Sequence, residues 1–61
     1  MNEKLIQQAY ADTVVTVYKV FFGEFTAALA DEDEAQKAKD RFRKGIAHAR
    51  HVRDLALGLL P

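Results

Sequence analysis

The side chains with chemistry to offer gather in the second half of this chain. Between Lys37 and Arg53 lie seven lysines and arginines, two histidines and a single acid, Asp40. Wound on a helix, the bases form two flanks. Lys39, Arg43, Arg50 and Arg53 share one; Lys37, Arg41, Lys44, His48 and His51 share the other. Such a surface can hold phosphate backbones, with an affinity that falls as salt rises. It also describes an ordinary solvated face, whose long stems shield apolar neighbours. Asp33–Lys37, Asp40–Lys44 and Arg50–Asp54 stand at the i,i+4 spacing of common helix ion pairs. The solvated face is the favoured reading, with Lys39, Arg43, Arg50 and Arg53 as the nucleic-acid contacts of the alternative.

His48-x-x-His51 puts two imidazoles on adjacent turns, a spacing that can chelate a transition metal. Metal centres in helical bundles instead project carboxylates and histidines inward from several helices. No Glu-x-x-His occurs here, so no metal is expected. The acidic run Asp31-Glu32-Asp33-Glu34 lacks the glycine and the spaced ligands of a calcium loop. Glu24 sits at the edge of an apolar arc, and an ion pair with Lys39 or Arg43 is expected for it. Catalysis has little to work with. There is no cysteine or serine, and no glycine-rich phosphate loop. The chain reads as no enzyme and as needing no cofactor.

These residues must be positioned by a very small scaffold. Residues 1–61 leave room for one domain, and a chain of this length buries only about 60% of the surface its unfolded form exposes. Without cysteine there are no disulfides, which leaves association as the usual remedy for a marginal core. Nine bases balance nine acids, so no net charge draws the whole molecule to a polyanion. The N-terminus has no basic lead and apolar core of a signal peptide. Val14–Ala30 is interrupted by Lys19 and Glu24 and falls short of a membrane span. A soluble, cytoplasmic protein is the expectation.

The acidic run divides two unlike halves. Five of the six aromatics precede it; the alanine-rich stretch after it carries a net charge of +5. Asp31 is a good cap for a second helix, with Glu34 placed to reach back to the cap's N–H. Gly58 suits a left-handed helix end. The pattern therefore predicts an all-α antiparallel hairpin, with helix 1 over about 2–29 and helix 2 over about 32–57. The stretch Thr13–Phe22 is rich in β-branched and aromatic residues, but its apolar positions do not alternate as a strand requires.

Helix 2 carries a seam of mostly small residues: Ala35, Ala38, Phe42, Gly45, Ala49, Val52, Ala56 and Leu59. Helix 1 carries two bulky stripes: Ile6, Tyr10, Val14, Val17, Phe21 and Phe25, and beside them Val15, Tyr18, Phe22 and Leu29. Tyr18 and Phe22 are expected to meet Gly45 and Ala49. That leaves the first stripe as the interface of a homodimeric four-helix bundle. Function is read as non-enzymatic interaction or regulation through protein–protein contacts. The alternatives are nucleic-acid regulation by the basic face, and a chaperone-like subunit that covers a partner with the aromatic stripe of helix 1.

Overall fold

The computed structural model describes residues 2–61. Two helices account for most of them: α1 over Glu3–Ala27 and α2 over Glu32–Gly58. No strand occurs among the described residues, so the β-rich composition of Thr13–Phe22 yields to its helical context. Asn2 caps α1, its side-chain oxygen accepting from the Leu5 N–H at 3.0 Å. At the other end the Ala28 N–H donates to the carbonyls of Glu24 and Phe25, and the Asp31 N–H donates to Ala28 at 3.0 Å. These bonds fold residues 28–31 into the turn that reverses the chain.

Asp31 caps α2 as its type and position predict. Its carboxylate accepts from the N–H groups of Asp33 and Glu34 at 3.0 and 3.2 Å. The reciprocal half of a capping box is missing, because the Asp31 N–H is already used in the turn. The Glu34 carboxylate turns outward to Lys37 at 3.3 Å. Gly58 also departs from expectation. It is the last residue of α2 and no glycine has positive φ; Leu59 follows in right-handed helical conformation.

The helices meet along Ile6, Tyr10, Val14, Val17, Phe21 and Phe25 of α1, all buried or half-buried, and Ala38, Phe42, Gly45, Ala49 and Ala56 of α2. The Phe21 and Phe42 rings lie 4.8 Å apart, within the range of a favourable tilted pair. Val17 lies over Gly45, where a side chain would crowd it. The hairpin thus uses the other stripe from the one expected. Tyr18 and Phe22 do not reach Gly45 and Ala49; they are 55% and 59% exposed, and they stack on each other at 6.4 Å. The six residues assigned to a dimer seam are engaged within the chain.

The result is an elongated slab whose Cα trace extends 49 × 15 × 7 Å. Its radius of gyration is 14.3 Å, against about 10 Å for a compact domain of this length. Among the described residues no large side chain is fully buried, and those that are buried are Ile6, Ala28, Ala38 and Ala49. A single helix pair has two broad faces, and both remain open to water.

Candidate interaction surfaces

The two faces differ in character. At about 100° per residue, Val15, Tyr18 and Phe22 leave α1 on one side of the helix contact, while Ala9, Thr13, Thr16 and Val20 leave it on the other. On α2 the same division puts Lys39, Arg43 and Arg50 beside the aromatic stripe, and Arg41, His48 and Val52 on the opposite side. The contacts agree. Lys39 lies 5.7 Å from the Phe25 ring centroid on the aromatic side, and Arg41 pairs with Glu24 on the other.

The second face is concave. A groove of about 500 Å³ runs between the helices, floored by Ile6, Val17, Gly45 and Ala49 and flanked by Thr13 and Val52. A smaller hollow of about 270 Å³ continues it past Val20 and Phe42 to the Glu24–Arg41 pair. The groove exists because Ala9, Gly45, Ala49 and Ala56 are too short to fill the space between two bulkier rows. Its polar groups are largely satisfied. The Thr13 hydroxyl donates to the Ala9 carbonyl at 3.0 Å and the Thr16 hydroxyl to the Asp12 carbonyl at 3.2 Å.

The cations of the nucleic-acid alternative are partly spoken for. Arg43 donates to Asp40 at 3.0 Å. Arg53 bonds Asp54 at 3.0 Å and lies over the Tyr10 ring at 4.4 Å from its centroid. Lys39 stands over Phe25. Among the described residues, Lys39 and Arg50 have no acidic partner within ion-pair distance. Three of these four side chains are thus held by ring contacts or local ion pairs, as expected of stems that snorkel beside an apolar contact, and Arg50 has neither among the described residues.

Several pairings differ from those that spacing predicts. Glu24 meets Arg41, not Lys39 or Arg43, because the α1 stripe in use turns Glu24 toward the grooved face. The i,i+4 pairs give way to Glu34–Lys37, Asp40–Arg43 and Arg53–Asp54. His48 lines the groove and His51 is exposed; among the described residues no group of three or more metal-ligating side chains comes together. Sequence reasoning missed the groove altogether. The signal was present in Ala9, Thr13, Thr16 and Val20, small or β-branched residues at alternating spacings of four and three, but it was masked by the bulkier stripes. No described helix is long and apolar enough to cross a membrane. Comparison with protein-family models, with curated proteins and with solved structures found no match to this chain.

Proposed function

We propose that this chain is a non-enzymatic interaction protein that works as a homodimer, two hairpins completing a four-helix bundle. One observation carries the reading. The hairpin exposes 4821 Å², whereas a compact folded monomer of its 6.9 kDa exposes about 4,000 Å². The excess of roughly 800 Å² equals what each partner buries in a standard protein–protein interface. Much of the exposed surface is apolar, with Val15, Tyr18, Val20, Phe22 and Val52 each about half exposed. Covering one face would bury several of these side chains at ~1.5–3 kcal/mol each for full burial, before the cost of association is subtracted.

Recognition on this reading is by shape and apolar contact, with no bond made or broken. Sedimentation equilibrium over a wide concentration range tests it. A dimer with a measurable dissociation constant is expected, and a monomer at every concentration overturns it. A second reading draws on the exposed Tyr18–Phe22 pair: the aromatic face covers a different protein, as a chaperone-like subunit does. It predicts a monomer that binds hydrophobic dye strongly when purified alone.

A further inference from the structure

We propose that the second copy seats on the grooved face, burying Val20 and Val52, and that the face bearing Tyr18 and Phe22 stays outside the contact. This assignment rests on the self-association proposed above and adds to it which surface is used.

Three features favour the groove. The first is shape. Hollows of about 500 and 270 Å³ beside Gly45 leave the lining side chains without neighbours on one side, forfeiting dispersion contacts that close packing supplies. A facing helix can fill them. The flank Ala9-Thr13-Thr16-Val20 of the second copy has the modest relief that such a close approach needs.

The second is polar satisfaction. Burial is costly for a hydroxyl or a charge left without a partner. On the grooved face the hydroxyls of Thr13 and Thr16 already donate to backbone carbonyls, and Glu24 and Arg41 already pair. Arg53 has Asp54 and the Tyr10 ring. Apart from His48, which lines the groove with no hydrogen bond among the described residues, the face can leave water with few new polar bonds to find.

The third is charge. A twofold contact sets a surface against itself. On the aromatic face this would bring Lys39 and Arg50, which have no acidic partner among the described residues, into the border of a contact that carries the same two cations. Like charges across an interface are unfavourable. The grooved face carries one such cation, Lys44, on its outer flank, while its central charges, Glu24 and Arg41, neutralise one another.

Paired substitutions separate the faces. Val20, Val52, Val15 and Phe22 are all about half exposed in the hairpin, so lysine at any of them leaves the helix contact in place. The Val20→Lys/Val52→Lys chain is expected to show a dimer dissociation constant raised by about a hundredfold or more, as loss of central apolar contacts does. Val15→Lys/Phe22→Lys is expected to leave it within about threefold. Far-UV circular dichroism checks that each variant stays helical. If the groove variant does not, Ala9→Gln, at an exposed position on the groove's wall, replaces it with the same expected weakening. The reverse pattern overturns the assignment while leaving self-association intact. Equal weakening by both pairs overturns it too, since a single face could not then be responsible. A wild-type chain that never dimerises overturns the function proposed above, and this assignment with it.

Discussion

Val17 and Gly45 set how closely the two helices approach. A Cβ built on Gly45 would lie 3.1 Å from Val17 Cγ1, nearer than side chains ordinarily pack. The glycine is therefore a spacer of zero length in a seam otherwise made of alanine and one phenylalanine. Its place in mid-helix is unfavourable by about 1 kcal/mol relative to alanine, and the close approach of Val17 offsets that.

A pair of glycine substitutions measures this balance. Gly23 also lies within a helix, but a Cβ there meets nothing within 4 Å. Gly23→Ala is expected to stabilise the chain by roughly 0.5–1 kcal/mol. Gly45→Ala should gain little or nothing, and Gly45→Val should destabilise by ~1–3 kcal/mol through overpacking. Thermal unfolding followed by circular dichroism, at one fixed protein concentration, reads all three. A Gly45→Ala gain as large as that of Gly23→Ala would show that the seam has slack.

Asp31 and Glu34 are expected to contribute unequally despite sharing the acidic run. Asp31→Ala removes the acceptor for two N–H groups and should cost about 1 kcal/mol. Glu34→Ala removes only an exposed contact with Lys37, worth roughly 0–1 kcal/mol. Urea unfolding of both variants gives the comparison. Equal losses would mean that Glu34 does close the capping box in solution.

Glu24 and Arg41 form the one ion pair that bridges the two helices among the described residues. Their side chains are 33% and 51% exposed, so water and salt screen the pair substantially. A double-mutant cycle with Glu24→Gln and Arg41→Gln should return a coupling of about 1 kcal/mol or less, shrinking as salt is added. Coupling that rises with association would place the pair inside a dimer contact.

The basic flank is expected to retain no RNA or duplex DNA at physiological salt, because Arg43 and Arg53 are held by acids and Lys39 stands over an aromatic ring. Filter binding across a salt series checks this. Retention that falls steeply with salt and vanishes in Lys39→Glu/Arg43→Glu/Arg50→Glu would restore the nucleic-acid reading.

The hairpin was legible because its punctuation is concentrated in one place. Asp31 has the cap's side chain, and no proline or paired glycine breaks either flank of the acidic run, so the helix limits fell within two residues of their expected positions. What sequence could not resolve was rotation. Helix 1 carries two bulky stripes side by side about its axis, and the apolar pattern alone does not say which of them faces helix 2. The choice depends on how residues 28–31 turn and on Val17 meeting Gly45, which are properties of the assembled pair. Once the stripe is exchanged, Glu24 faces Arg41, the Tyr18–Phe22 side is left to solvent, and the groove opens along Ala9, Thr13 and Val20.

The thinness of the hairpin, whose Cα trace spans 7 Å in its shortest direction, bears on its dynamics. No backbone amide in a lone hairpin lies further from water than the length of one side chain. Hydrogen exchange of such a molecule would fray from both ends with no slow centre, since slow exchange needs hydrogen bonds that open only with the whole fold. A block of protected amides midway along α1 and α2 would therefore be borrowed order, lent by whatever lies against a face.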